Sequence, residues 1–223
     1  MVPSFDFLKS TIDAVNYEKI EKIRELAREK MVVVDSAHDF SHVLRVYKNA
    51  LLIAKDEECE LRVLLPAVLL HDLCNYAKDH PLRAKSGEES KKIAAVILES
   101  VDYPREFCEK ILYCIENHSF SKGVVPTVLE AKILQDADKL DAIGAIGIAR
   151  TFAVSGRLLR QFYDEDDPLC EQREADDTKY GLDHFFVKLL RLKELMHTET
   201  AKKIADERIQ FMHLFLEQLR KEI

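Results

Sequence analysis

The sequence predicts an all-α fold. Gly and Pro are scarce, at six each in 223 residues. Leu, Ala, Glu and Lys, good helix formers, are abundant, and Ile accompanies them. Apolar residues recur at three- and four-residue spacing, and no convincing pair of strands appears.

The elements follow in order. Residues 16–33 set Ile20, Ile23, Leu26, Ala27 and Met31 on one face, with the β-branched Val32, Val33 and Val34 finishing that helix. Asp35 or Ser36 can cap a second helix through Val43, Val46, Tyr47, Ala50 and Ile53. The run from Leu61 to Leu70 reads as a third helix, kinked or begun at Pro66. Ser86-Gly87-Glu88-Glu89 has the form of a capping box opening a helix to about Ser100. Pro104 starts another that ends near His118. Val128 to about Ala153 reads as one helix, and Leu182–Met196 and Thr198–Lys221 close the chain. Without an evident linker or repeat, the expectation is a single domain over 1–223, its core at about 35–155 and its C-terminal helices, 182–221, packed on that core. Phe211, Met212, Phe215 and Leu216 of the last helix would dock on the core or on a second copy.

The net charge is −7, and residues 164–177 hold eight acids and one arginine. The remainder is balanced and offers no basic stripe, so long nucleic acid is not an expected partner. The acidic segment reads as a solvated loop or as a lid over a phosphorylated ligand. Five scattered cysteines without a CxxC pair argue against a disulfide framework or a zinc knuckle. No signal peptide and no membrane-length apolar run is evident, and the expected location is the cytoplasm.

Four residues suggest chemistry. His71-Asp72 ends the most apolar run of the chain, which sets an imidazole and a carboxylate at the edge of a core. Buried polar groups need partners, and a divalent cation would serve both. His42 and Asp138 stand on apolar flanks of two other helices. Two imidazoles and two carboxylates suit Mn, Fe, Co, Ni or Zn. A single histidine such as His42 is, taken alone, more often a surface or core residue. His38-Asp39 is a second His-Asp pair, and His38 and His42 share a helix face, but no core-like run precedes it.

This pattern, His42, His71-Asp72, Asp138, resembles the signature of the HD-domain superfamily of metal-dependent phosphohydrolases. The segment His38-Asp39-Phe40-Ser41-His42-Val43-Leu44-Arg45-Val46 and the segment from Ile133 through Asp138 to Gly147 resemble a branch of small, stand-alone bacterial and archaeal members. The resemblance implies a helical fold in which His42, His71, Asp72 and Asp138 hold one divalent ion (Mn, Fe, Co, Ni, Zn or Mg). It also implies hydrolysis of a phosphate ester or anhydride, the ion acidifying a water and polarising a phosphoryl oxygen. Asp72 would be a ligand and orient the water. His118 can contact a phosphate oxygen or protonate a leaving group; it also fits a histidine favoured by a helix C-terminus. HD phosphodiesterases add further histidines for a second metal, and the absence of a His-His pair after His118 favours one ion. Some nucleotide-cleaving relatives carry an acid one turn after the HD aspartate, where this chain has Asn75.

Lys78, Arg83 and Lys85, in the loop after the pair, are candidate phosphate contacts, as are Lys139 and Arg150; solvated surface charges are the plainer reading. Asp141 shares the face of Asp138. Gly144 and Gly147, read within a helix, suggest close packing. The expected activity is pyrophosphohydrolysis of a nucleoside triphosphate. The alternatives are a nucleotide phosphomonoesterase or phosphodiesterase, and, in another class, a non-catalytic metal-binding sensor or structural module. A homo-oligomer is compatible with the sequence.

Overall fold

A computed structural model describes residues 12–31, 39–76, 82, 85–119 and 123–223. Among these, the regular elements are helical, and the only extended pairing is an isolated bridge between Gln161 and Tyr180. The all-α expectation is met. The chain forms two compact units that meet between Ala137 and Asp138.

The first unit is built around the apolar run. Helix α1 spans Ala14–Lys30, α2 Phe40–Ala54, α3 Leu61–Leu70, α4 Ser86–Ser100 and α5 Arg105–Glu116. Helix α3 packs against α1, α2, α4 and α5, which explains why its apolar residues are not confined to one stripe. Every residue of α3 except Arg62 is buried. Each such Leu or Val contributes about 1.5–3 kcal/mol relative to full exposure.

Pro66 lies inside α3 rather than at its start. Proline has no N–H to give the carbonyl four residues back, here that of Arg62. The Tyr103 hydroxyl donates to that carbonyl at 2.7 Å instead. Tyr103 is 3% exposed, and burial pushes its phenol well above the ordinary value, so it remains a neutral donor.

Two sequence expectations about caps change. Asp39 is the N-cap of α2, its side chain accepting from the His42 N–H; Asp35 and Ser36, like Val32–Val34, lie outside the described residues. Ser86 makes no capping box. Lys85 precedes α4 without a side-chain cap, and the Ser86 hydroxyl accepts from the Tyr76 N–H at 3.3 Å. The loop before the helix claims the hydroxyl that the sequence assigns to the helix end.

Helix α6 spans Leu129–Asp141, and the boundary between the units falls in its last turn. The expected helix from Val128 to Ala153 is in fact two, because α7, Gly144–Arg157, starts afresh. Gly144 has φ +74°, a left-handed conformation that glycine adopts without penalty. A Cβ on Gly147 would lie 2.2 Å from the Ala142 carbonyl oxygen. The two glycines therefore permit a break in the helix, and the close packing expected of them is met at Gly144, where a Cβ would lie 3.1 Å from Arg208 Cβ.

The second unit continues with α8, Asp183–Val187, a 3₁₀ segment, Leu189–Leu195, and α9, Glu199–Arg220, capped by Thr198. The expected helix 182–196 is interrupted at Lys188, where φ and ψ are −136° and −57°. Met212 and Leu216 of α9 are buried; Phe215 joins Phe152 and Phe185 in an aromatic cluster, while Phe211 is exposed.

The acidic segment is tied down by its single arginine. Arg173 donates to both carboxylate oxygens of the buried Asp183, at 2.6 and 2.8 Å, and stacks on Tyr180. Asp167 accepts from the main-chain N–H groups of Glu171, Gln172 and Arg173. The segment is an internally bonded loop, as the geometry of bidentate Arg–carboxylate pairs favours.

Candidate metal centre

His42, His71 and Asp72 converge in the first unit. Each offers a ligand atom, and those atoms lie within 4.8 Å of one another. All three side chains are buried. Helix α2 supplies His42 from its first turn, beginning three residues after the Asp39 cap. Burial works to raise the Asp39 carboxyl, but the Ser41 hydroxyl, the His42 N–H and Arg45 together hold it below its usual range. The end of α3 supplies His71 and Asp72, so the helix buried at every residue but Arg62 leads into two of the three donors.

The imidazoles are oriented by the main chain. His71 Nδ1 donates to the Val68 carbonyl at 2.7 Å. A carbonyl only accepts, so in the neutral ring Nδ1 carries the hydrogen and Nε2 the lone pair, the tautomer that a metal ligand needs. His42 Nε2 stands 4.0 Å from Asp72 Oδ2. Two imidazole nitrogens and a carboxylate oxygen form a mixed N/O donor set suited to a mid-row divalent cation.

His118 adjoins this group. Its ring centroid is 5.1 Å from that of His71, and the His42 and His71 centroids are 5.5 Å apart. His118 Nδ1 donates to the Ile115 carbonyl at 2.7 Å, the same three-residue reach that His71 uses. The helix-end position expected for His118 is correct, and its ring is buried beside the donors rather than spread on the surface.

Asp138, half-buried, opens the second unit. On the first-unit side of that boundary, Asn49 donates to the Ala137 carbonyl at 3.0 Å. Asn49 lies two turns after His42 on α2 and is buried, a role the sequence reading missed; a polar residue on an otherwise apolar helix face was its signal. Gln135, also missed, donates to the Asn117 and Val124 carbonyls and so fixes the connection that follows His118's helix.

The expected phosphate contacts fare unevenly. His38, Lys78 and Arg83 lie outside the described residues. Lys85 is exposed. Lys139 is 1% exposed, and its ammonium donates to the Leu195 carbonyl at 2.7 Å. Arg150 pairs with Asp141 at 2.6 Å within that unit. The five cysteines are free thiols. Burial raises all five, Cys114 to about 12 and Cys59 to about 11, which disfavours the thiolate that nucleophilic chemistry requires.

Residues 39–143 match the HD domain family model. The uncharacterized protein YpgQ of Bacillus subtilis (strain 168) is 33% identical over 210 residues, 92% of this chain and 94% of that protein. This chain belongs to the HD-domain superfamily. Among solved structures, an HD-superfamily hydrolase from Bacillus thuringiensis is 35% identical with a TM-score of 0.72, covering 93% of this chain and 97% of the other. A structure of Bacillus subtilis YpgQ in complex with ADP is 31% identical with a TM-score of 0.72, covering 94% of this chain and 97% of that one. The HD fold and these hydrolase relatives support a metal-dependent phosphohydrolase. Asp39 caps α2, while His71-Asp72 lies in the group of donors that could hold a metal. Among the described residues no helix is long and apolar enough to cross a membrane.

Proposed function

We propose that this HD-domain protein hydrolyses nucleoside triphosphates, releasing pyrophosphate, with one divalent ion held by His42, His71, Asp72 and Asp138. The observation that carries the reading is the convergence of three buried donor atoms within 4.8 Å. The inclusion of Asp138 rests on the sequence around it, Gln135 to Asp141, inside the matched family segment. A single HD-type domain over 1–223 forms part of the proposal, supported by relatives matched along nearly their whole length.

When bound, the cation supplies an activated water and positive charge for a phosphoryl oxygen. The residues do the rest. The Val68 carbonyl keeps the His71 hydrogen on Nδ1 and thereby its lone pair on Nε2. His118, fixed in the same tautomer by the Ile115 carbonyl, can accept or deliver a proton at Nε2 beside the reacting phosphate. Lys85, with Lys78 and Arg83, would meet the outer phosphates. ADP bound to YpgQ, a relative matched over most of its length, favours a nucleotide over another phosphorylated metabolite.

The test is a panel of nucleoside mono-, di- and triphosphates with manganese, products resolved by chromatography. The proposal requires a nucleoside monophosphate and pyrophosphate from a triphosphate. Release of orthophosphate alone would favour the phosphomonoesterase alternative. No product from any member, with the metal bound, would favour the non-catalytic sensor.

A further inference from the structure

Asp72 is held by a second residue whose own main chain is clamped. The Asn75 side-chain amide donates to Asp72 Oδ2 at 2.9 Å, the same oxygen that faces His42 Nε2. Residue 75 sits in the connection between α3 and α4, where a polar side chain would ordinarily be free to choose among rotamers and solvent. Its neighbours prevent that. The Ser90 hydroxyl, fully buried in α4, accepts from the Cys74 N–H at 3.0 Å and donates to the Cys74 carbonyl at 3.2 Å. On the other side, the Tyr76 N–H donates to Ser86 Oγ, one turn before Ser90 on the same helix face. Asn75 is thus bracketed by two serines of one helix.

The chemistry of the group narrows what it does. A carboxamide neither gains nor loses a proton in the physiological range, so it is not an acid or a base for the reaction. Its N–H can only donate, and it donates to a carboxylate in the donor set. A carboxylate oxygen has two lone pairs; occupying one of them leaves the carboxylate plane fixed and the remaining lone pairs directed. An isolated Asp72 could instead rotate between one- and two-oxygen ligation. Outer hydrogen bonds of this kind set how strongly and in what geometry a ligand meets its ion.

We infer that Asn75 is a positioning residue: its amide, locked in place by Ser86 and Ser90, selects the orientation in which the Asp72 carboxylate meets the divalent ion, and so sets the affinity of the centre. This inference rests on the metal-centre reading above.

The test is manganese binding, followed by the paramagnetic resonance signal of the free ion, in wild type, Asn75→Ala, Asn75→Leu and Asp72→Ala, with helicity and thermal midpoint recorded for each metal-free protein. Leucine is nearly isosteric with asparagine and lacks the donor. Positioning predicts a Kd raised about 10- to 100-fold in both Asn75 variants, with helicity retained and kcat restored at saturating manganese, since Asn75 touches no reacting atom. A role in packing alone predicts that leucine restores wild-type affinity, and that result would overturn the inference while leaving the centre intact. Unchanged affinity in both Asn75 variants would do the same. Binding that survives unchanged in Asp72→Ala would overturn the metal-centre reading, and this inference with it.

Discussion

Three buried carboxylates, Asp141 and Asp183 of the second unit and Asp72 of the first, have different partners. In the second, Asp183 and Asp141 each carry a guanidinium, from Arg173 at 2.6 Å and from Arg150 at 2.6 Å. In the first, Asp72 faces the Asn75 amide and the His42 imidazole. A carboxylate clamped by arginine is neutralised within the chain and serves the fold. On the proposed reading, Asp72, beside an amide and an imidazole, meets a cation supplied from outside. Burial alone does not distinguish these cases, since all three side chains are nearly inaccessible; the partner does.

That contrast gives its sharpest prediction in stability. Asp183→Ala leaves Arg173 facing a vacated site and should destabilise the protein by about 3–5 kcal/mol. Asp72→Ala, in the metal-free protein, should leave stability unchanged or raise it, because function-bearing polar groups commonly sit at a cost to the fold. Urea unfolding of both variants with metal chelated checks the pair. Equal losses would erase the distinction between the units.

The first unit should instead depend on its apolar core. Leu69→Ala in α3 is expected to cost about 2–5 kcal/mol, the range for a buried leucine whose cavity relaxes incompletely, as read from the thermal midpoint. A loss much below that would mean α3 is not the pivot of this unit. A smaller effect attaches to the proline in the same helix. Tyr103→Phe strips the donor from the Arg62 carbonyl that Pro66 leaves open, at about 1–3 kcal/mol. Restoring the backbone donor with Pro66→Ala should recover part of that loss in the double variant, and strict additivity would disprove the coupling.

The smallest predicted effect concerns the α2 cap and pH. The folded pKa of Asp39 lies below its unfolded value. Its contribution is therefore complete above the unfolded carboxylate range, near pH 4, and is lost as pH falls through the depressed folded value. Asp39→Asn keeps a capping oxygen but should flatten that part of the acid unfolding profile, while Asp39→Ala should lose about 1 kcal/mol at neutral pH. Parallel acid-unfolding curves for wild type and Asp39→Asn would contradict this.

Most of the helices could be read from the sequence because their cause is local. The 3.6-residue period of α1, α2 and α9, and the uninterrupted apolar run of α3, are visible residue by residue. The breaks at Gly144 and Lys188 were not legible: one depends on a left-handed glycine and the other on a turn that tightens into 3₁₀ geometry. The donors His42, His71 and Asp72 stood out because each interrupts an apolar pattern. The residues that orient them did not. Val68 and Ile115 act through carbonyls that every residue possesses, and Ser90 and Asn75 act across a loop. Lys139 is a further case, since its partner, the Leu195 carbonyl, lies far along the chain and no local pattern announces it.

The central claim is that Asp72 holds its charge for an external cation whereas Asp183 does not. Calorimetric titration of manganese into wild type, Asp72→Ala and Arg173→Met tests it most directly. The account predicts one ion bound per chain in wild type and in Arg173→Met, and saturable binding abolished in Asp72→Ala with its helicity intact. Undiminished binding in Asp72→Ala, or binding abolished in a folded Arg173→Met, would contradict it.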